Sequence, residues 1–437
     1  MKQKVSNWSK YPKKESEVKN FRGEFINGSN TIARGMGRCY GDAALSDNIL
    51  STLNHNLLLS FNEQNGELTC QAGVTLKDIL DVFVPKGWFV PVTPGTKFIT
   101  VGGALASDVH GKNHHVEGCF GDHVTNCSLI TADGSKIDCS SRNNKELFNA
   151  TRGGMGLTGI IDTVTFKLKK IETSYINQRQ IKAKNLSHIF ELFEQYKDHT
   201  YSMAWIDCLK QGEQFGRSIM MMGEHSKMED LNTKQKKNPL STGKGNLMNM
   251  PINLPPFALN KLSIKVFNWL YYAKNTKQDM EGVVHYDGFF YPLDAILNWN
   301  RMYGKKGFVQ YQFVLPIDNS EDGLKTILKK ISEKGWGSFL AVLKLFGKQD
   351  SLISFPMEGY TLALDFPIKK GLFKFLDELD EVVISLGGRI YLSKDARMKA
   401  NTFWESYPNS KEFIEIVKNY NPEFRISSDL SKRLAIH

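Results

Sequence analysis

The chain has 437 residues, and because a soluble domain holds about 100–200 residues the length favours two domains. Its 41% hydrophobic content is ordinary for a globular protein, and its net charge of +10 favours an anionic partner such as a phosphate, an acidic lipid or a nucleic acid. The first twenty residues hold no apolar signal segment, and no apolar run approaches the roughly 20 residues of a spanning helix. We therefore expect a cytoplasmic protein that stays soluble or lies on the surface of the inner membrane.

The first third of the chain has the pattern of short strands joined by turns. Alternation of apolar and polar residues predicts strands at 54–61 and 67–72. Helical spacing predicts a helix at 75–83 with Thr75 as its N-cap. Residues 124–137 predict a hairpin that turns at Asp133 and Gly134.

Beyond about residue 172 glycine becomes rarer and aromatic residues become frequent. The polar, lysine-rich stretch 223–245 predicts a mobile loop. The next segment, 259–274, has helical spacing with basic residues among its apolar ones, a pattern found in core helices and in helices that lie on membranes. Further elements are predicted by the same patterns: a strand at 308–315 and helices at 324–333 and 371–386.

Three glycine-rich clusters lie at residues 33–42, 94–115 and 153–160. Glycine lets the backbone approach a ligand closely and turn its N–H groups toward phosphate oxygens. The first cluster is neither a Rossmann fingerprint nor a P-loop, because Tyr40 stands where the third glycine would be and no Gly-Lys-Ser/Thr triplet occurs. Any one cluster is explained by a tight turn, but three together favour a dinucleotide site.

The six cysteines, at positions 39, 70, 119, 127, 139 and 208, form no CxxC pair and no zinc spacing with histidine. We expect small buried or half-buried thiols, with neither a disulfide framework nor a metal site.

The motifs ARGMGRCYGD, PGT, TVGGALASDVHGKNHH and GGMGLTGII resemble the FAD-binding half of the vanillyl-alcohol-oxidase superfamily. Later motifs, among them FVQYQFVLP, LKLFG, LDFPIK and GGRIYLSKDAR, resemble the decaprenylphosphoryl-β-D-ribose 2-oxidase family, the flavoenzymes of arabinan-precursor epimerisation. The resemblance implies an α+β fold with a PCMH-type FAD-binding domain at 1–172, an inserted antiparallel-sheet substrate domain at 173–388, and a return to the FAD domain at 389–437.

The resemblance also implies which residues contact FAD. They are Ala33, Arg34, Gly35, Met36, Gly37, Arg38, Cys39, Tyr40, Gly41, Asp42, Ala43, Gly95, Thr100, Val101, Gly102, Gly103, Ser107, Asp108, Val109, His110, Ile160 and Tyr391. Some members of the superfamily attach FAD covalently through a histidine in the first cluster. Arg38 occupies that place here, so we expect the FAD to be non-covalent.

Two residues are candidates for catalysis by the same resemblance. Lys394 matches a lysine that family members place beside flavin and substrate, where it positions the hydroxyl, stabilises the flavin or acts as a base with a lowered pKa. His110 lies in the middle of the second glycine cluster. The alternatives are a surface lysine after a strand and a structural histidine.

The substrate pocket implied by the resemblance includes Gln310, Gln312 and Lys344. Alternation places both glutamines on one face of a strand and Tyr311 on the other. Two amides suit sugar hydroxyls, and a lysine suits a phosphodiester anion. The alternative for the glutamines is an exposed strand face.

Two further pocket residues are implied. Phe290 is expected as a wall of the pocket or as part of the core. Ala363 stands two residues before the aspartate of the DFP motif, where some relatives have a cysteine. The pocket of this chain therefore lacks that thiol.

These features favour FAD-dependent oxidation of a sugar hydroxyl to a ketone, on the 2-hydroxyl of a polyprenyl-phosphate-linked ribose. A short-chain NAD(P)H-dependent reductase would then complete an epimerisation. One alternative is an alditol or aldonolactone oxidase acting on a small soluble sugar. The other is a nucleic-acid-binding protein, which the positive charge suggests but no binding motif supports.

Overall fold

The computed structural model describes residues 2–24, 28–243, 248–255 and 258–436. Within them the protein mixes helices with mostly antiparallel sheets, and the α+β prediction is confirmed. The strands are β1 (Lys2–Ser6), β2 (Lys13–Asn20), β3 (Thr31–Arg34), β4 (Asn48–Ser51), β5 (Leu58–Asn62), β6 (Glu67–Gln71), β7 (Trp88–Phe89), β8 (Val124–Ile130), β9 (Lys136–Cys139), β10 (Ile160–Lys167), β11 (Lys169–Lys170), β12 (Tyr175–Ala183), β13 (Tyr201–Ile206), β14 (Ser218–His225), β15 (Met248–Asn249), β16 (Asp279–His285), β17 (Ile296–Leu297), β18 (Phe308–Pro316), β19 (Ala341–Phe346), β20 (Gly359–Pro367) and β21 (Arg389–Ile390).

The helices alternate with these strands along the chain. They are α1 (Leu76–Phe83), α2 (Val101–Ala106), α3 (His114–Glu117), α4 (Lys145–Thr151), α5 (Leu186–Gln195), α6 (Thr233–Lys236), α7 (Lys261–Lys274), α8 (Tyr286–Phe290), α9 (Ser320–Lys334), α10 (Leu372–Ser385), α11 (Ala400–Ser406), α12 (Ser410–Tyr420) and α13 (Asp429–Arg433). None of the helices in the described ranges is long and apolar enough to cross a bilayer.

Two sheets build the N-terminal part. The first has the order β1-β2-β4-β3 and the second the order β5-β6-β10-β8-β9. The predicted hairpin is confirmed, since β8 pairs with β9 around a turn in which the Asp133 carboxylate accepts from the Ser135 amide at 3.0 Å. The predicted helix is also confirmed, because Thr75 and Asp78 form a reciprocal capping box at the start of α1.

An eight-stranded sheet follows, in the order β16-β12-β14-β13-β19-β20-β18-β21, with every neighbouring pair antiparallel. Helices α5, α9 and α10 pack against one another and cover one face of it, burying apolar side chains such as Leu328 and Leu379. These three helices leave the opposite face of the sheet uncovered.

The C-terminal residues return to the N-terminal sheets. Ile426 forms a parallel bridge with Thr31 of β3, and the Ser427 amide donates to the Thr31 carbonyl at 2.9 Å. Residues 389–390 pair with β18 as β21, the edge strand of the eight-stranded sheet.

The predicted loop at 223–245 differs from the structure at its start. Residues 223–225 continue β14, where the sheet satisfies their backbone groups. The following segment is polar and exposed but contains the short helix α6, whose N-cap Asn232 accepts from the Gln235 amide at 3.0 Å. Residues 244 and 245 lie outside the described part of the chain.

All six cysteines are free thiols, and five of them are buried while Cys39 is half-buried. The prediction of small buried or half-buried thiols is therefore confirmed for all six positions.

Candidate active site

A cavity of about 920 Å³ lies between the glycine-rich loops and the open face of the eight-stranded sheet. All the predicted substrate-pocket residues line it: Phe290, Gln310, Gln312, Lys344, Ala363 and Lys394. Most of the predicted flavin contacts line it as well: Ala33, Arg34, Gly35, Met36, Gly37, Arg38, Cys39, Tyr40, Ala43, Gly95, Thr100, Gly102, Gly103, Ser107, Val109, His110 and Tyr391.

Two acidic residues among the predicted flavin contacts face away from the cavity wall. Asp42 accepts hydrogen bonds from Arg433 through Nε at 2.7 Å and Nη2 at 2.8 Å. Asp108 accepts from the Ser354 hydroxyl at 2.7 Å and from the Gly121 amide at 3.0 Å. Their carboxylates are thus engaged in holding loops together.

Three apolar residues of the predicted set also lie outside the cavity wall. Val101 and Ile160 are fully buried in the core. Gly41 packs so closely on Asp395 that a Cβ would lie 1.6 Å from its carbonyl oxygen. Ile161 lines the cavity in place of Ile160, because neighbouring strand residues point to opposite faces.

The glycine loops fit a bound dinucleotide. At Gly95 no atom lies within 4 Å of an ideal Cβ, so any side chain there would enter the cavity itself. At Gly35 a Cβ would lie 2.2 Å from Thr100 Oγ1, and Gly37 has a φ of +62°, a region that side chains disfavour. Backbone therefore forms this part of the wall, with no side chain between it and a ligand.

Arg38 lies at the cavity wall where a flavin-linking histidine would stand. Its guanidinium is 3.9 Å from the ring centroid of Trp8 and 5.5 Å from that of Phe98. Burial lowers the pKa of Arg38, while Asp294 opposes that change. A guanidinium held in this way supplies positive charge to the cavity but no nucleophile for covalent attachment.

Lys394 lies in the turn after β21, where its amide donates to the Tyr391 carbonyl at 3.0 Å. Its Nζ is 3.9 Å from the ring centroid of Tyr40. Burial lowers the pKa of Lys394 to about 8, although the charge of Asp365 works in the opposite direction. A lysine with this pKa exchanges a proton readily near neutral pH.

Asp365 was not predicted from the sequence. Its carboxylate accepts from Gln310 Nε2 at 2.6 Å and from the Tyr303 hydroxyl at 3.1 Å, and burial raises its pKa to about 6. It lies two residues after Ala363 on β20 and faces the same cavity. Strand alternation from Ala363 was the signal that could have found it.

His110 is buried and neutral. Burial lowers its pKa well below the usual value, and the charge of Lys344 adds to the effect. Its Nε2 lies 3.1 Å from Gln312 Nε2, so the neutral ring accepts from the amide, and we assign the proton to Nδ1. That Nδ1 is buried and has no hydrogen-bond partner among the residues described.

Two more lysines face the cavity, Lys344 and the unpredicted Lys112. Burial lowers the pKa of each to about 7, and for Lys344 the charges of Lys112 and Lys394 act in the same direction. Lys112 Nζ donates to the Phe289 carbonyl at 2.7 Å. Three lysines that line one cavity favour an anionic ligand.

The two glutamines lie as the alternation predicted. Gln310 and Gln312 face the cavity, whereas Tyr311 is buried on the helix-covered face, where Asp380 of α10 acts on its pKa. Gln312 lies directly opposite Ala363 on the neighbouring strand.

Comparison with known proteins agrees with this architecture. Residues 11–140 match the model of an FAD binding domain. The chain is 37% identical over 415 residues to decaprenylphosphoryl-beta-D-ribose oxidase of Mycolicibacterium smegmatis, covering 94% of this chain and 90% of the relative. It is 31% identical over 372 residues to an uncharacterised protein of Streptomyces coelicolor, covering 83% of this chain and all of that protein.

A more distant relative is L-gulonolactone oxidase of Scyliorhinus torazame, 29% identical over 136 residues and 30% of each chain. The long alignment extends far beyond the FAD-binding region, so it includes the sheet that carries the glutamines and lysines. The chain therefore belongs to the family of FAD-dependent oxidoreductases that includes decaprenylphosphoryl-beta-D-ribose oxidase.

Proposed function

We propose that the protein oxidises the 2-hydroxyl of a polyprenyl-phosphate-linked ribose to a ketone. One observation carries the proposal: Lys112, Lys344 and Lys394 meet Gln310 and Gln312 in a single cavity. The amides suit the hydroxyls of a pentose, and the lysines suit the phosphodiester beside it. The name of the Mycolicibacterium smegmatis relative agrees with this substrate class.

We assign the flavin site to the predicted contacts that line the cavity, from Ala33 to Ala43 and from Gly95 to His110, with Tyr391. We further assign residues 1–172 and 389–437 to the FAD-binding domain and 173–388 to the substrate domain. Contacts such as the bridge between Thr31 and Ile426 support that division.

Oxidation of the carbinol removes one hydride and one proton from the sugar. FAD, when bound, supplies the hydride acceptor. Lys394 in its neutral form accepts the hydroxyl proton, since burial has brought its pKa to about 8. Gln310, held by the Asp365 carboxylate, and Gln312, held against His110, position the sugar hydroxyls.

We also propose that the protein lies on the cytoplasmic surface of the inner membrane. Helix α7 exposes Leu262, Trp269 and Leu270 by 70%, 58% and 54%, and carries exposed Lys261 and Lys265 beside them. An apolar face flanked by lysines suits a surface of anionic lipid. Flotation with anionic and neutral vesicles measures this, and we expect binding to the anionic ones, which the double variant L262S/W269S weakens.

A short-chain NAD(P)H-dependent reductase is the proposed partner. Hydride returned to the opposite face of the ketone would invert that carbon and complete an epimerisation.

Anaerobic mixing with substrate tests the proposed oxidation. We expect farnesyl-phosphoryl-β-D-ribose to bleach the flavin absorbance, whereas free alditols and aldonolactones leave it unchanged. Bleaching by a free alditol or lactone alone would contradict the proposal and favour an oxidase of small soluble sugars.

A further inference from the structure

The cavity face of the eight-stranded sheet changes from polar to apolar across neighbouring strands. Gln312 of β18 lies opposite Ala363 of β20, Ala363 lies opposite Val342 of β19, and Val342 lies opposite Trp205 of β13. Residues directly opposite in antiparallel pairs share a face, so these four side chains form one row. With strands about 4.8 Å apart, the row leads about 14 Å away from Gln312.

Two methionines extend this apolar surface, one on β13 and one on the neighbouring strand β14. Met203 lies two residues before Trp205 and therefore on the same face, and it pairs with Met221 of β14. Both methionines line the same cavity as Lys394. Val342, Trp205 and the two methionines thus form an apolar stretch of this wall. Beyond it, on β12, Gln180 lies opposite Met221 and lines the cavity together with Gln178.

Helix α7 covers this apolar stretch. Its residues Ile264, Phe267 and Tyr271 line the cavity, and the Tyr271 ring centroid is 4.7 Å from that of Trp205. The Phe267 ring centroid is 5.4 Å from that of Phe339, which also lines the cavity. We call the space lined by these residues of α7 and by Trp205, Met203 and Met221 the apolar arm.

Helix α7 also links the apolar arm to the protein surface. The helix that covers it turns Leu262 and Trp269 outward, and Phe267 is both a cavity residue and 41% exposed. Lys344 lies two residues after Val342 on β19 and thus on the same face, at the border between the polar end and the apolar arm. A substrate bound along this wall would place its sugar beside the glutamines, its phosphate beside Lys344 and its hydrocarbon in the apolar arm.

We propose that the apolar arm binds the first isoprene units of the substrate's polyprenyl chain and directs the rest of the chain past α7. The inference rests on the proposed function, because it assigns a site to one part of that substrate. Burial of hydrocarbon in this arm adds binding free energy with each methylene group, which a substrate lacking the chain does not gain.

Steady-state kinetics with two substrates tests the proposal: farnesyl-phosphoryl-β-D-ribose and ethyl-phosphoryl-β-D-ribose, with the FAD-loaded protein. The measured quantity is the ratio of kcat/KM for the farnesyl substrate to that for the ethyl substrate. We expect a ratio well above ten for the wild type, and a fall of about tenfold in Met203→Gln, where an amide of similar size meets the chain.

Phe267→Gln provides a second variant on the covering helix, and the same fall is expected. Met228→Gln is the matched control, because Met228 is exposed and does not line the cavity. An unchanged ratio in both arm variants overturns the proposal. A wild-type ratio near one also overturns it while leaving the proposed function intact, whereas oxidation of neither substrate overturns the proposed function itself.

Discussion

Replacing Lys394 with methionine should abolish turnover and make the protein more stable. The substitution removes the charge and the titratable proton but keeps a side chain of similar length in the cavity. Loss of a positioned acid–base group typically lowers the rate by roughly 10²–10⁴-fold. The gain in stability has a separate origin, since the folded protein holds this ammonium in a buried site.

The size of that gain follows from the pKa. A lysine has a pKa near 10.5 when solvated, and burial brings that of Lys394 to about 8. The gap corresponds to about 3 kcal/mol, because each pKa unit is worth about 1.4 kcal/mol. The side chain of Lys394 is half-buried, so solvent in the cavity weakens this effect, and removal of the lysine leaves Asp365 without its positive neighbour. We therefore expect a gain of about 1–2 kcal/mol in the free energy of unfolding.

The stabilising effect of removing Lys394 should depend on pH. The pKa of Lys394 is lower in the folded protein, so the destabilising effect is complete below pH 8 and fades as the pH rises toward 10.5, where both states are neutral. Thermal unfolding of FAD-loaded wild type and K394M at pH 7 and at pH 10 measures the difference. K305M, at an exposed position, is the control. Normal turnover in K394M, or a lower unfolding midpoint at pH 7, would refute the reasoning.

Three other predictions concern separate parts of the molecule. Because Arg38 replaces a linking histidine, acid precipitation should leave the yellow flavin in the supernatant, and a yellow pellet would show a covalent bond. Ala363 is buried at the cavity wall, so Ala363→Cys adds one sulfur with modest overpacking and should make the protein sensitive to electrophiles generated at the reduced flavin. Mass spectrometry should show the adduct on the introduced thiol. Equal labelling of the wild type would mean that the pocket is assigned wrongly. Trypsin should cut the folded, ligand-free protein within 226–243, where four exposed lysines are accessible, and resistance at all four would indicate a packed segment.

Local chemistry explains why several elements could be predicted from the sequence. The capping box of Thr75 and Asp78 fixes the start of α1, and the turn at Asp133 and Gly134 fixes the hairpin. The same holds for the two glutamines, because alternation along one strand decides which face each side chain occupies. Most of the positions predicted by motif also lie at the cavity wall. Glycine-rich loops lack side chains that would keep the backbone away from a ligand, so they are well suited to form such a wall.

Electrostatic partners could not be predicted in this way. Lys112 and Lys344 are far apart in sequence, and only the fold brings them close enough for the charge of Lys112 to add to the effect of burial and lower the pKa of Lys344. The environment of Lys394 likewise depends on Tyr40, in the first glycine-rich cluster, and on Asp365 of β20, which are far apart in sequence. The lysine motif suggested a role, but the lowered pKa that makes this role chemically plausible arises from tertiary burial.

Helix α7 shows where an amphipathic pattern is ambiguous. Four of the apolar positions that predicted the helix, Leu262, Val266, Trp269 and Leu270, are exposed in the structure. The cavity side instead carries Ile264, Phe267 and Tyr271. A periodic stripe reports that a helix has an apolar face but not whether protein or lipid covers that face. In this protein the helix is apolar on both sides. Such a helix is expected where the inner face covers a hydrocarbon ligand and the outer face meets the membrane from which that ligand is drawn.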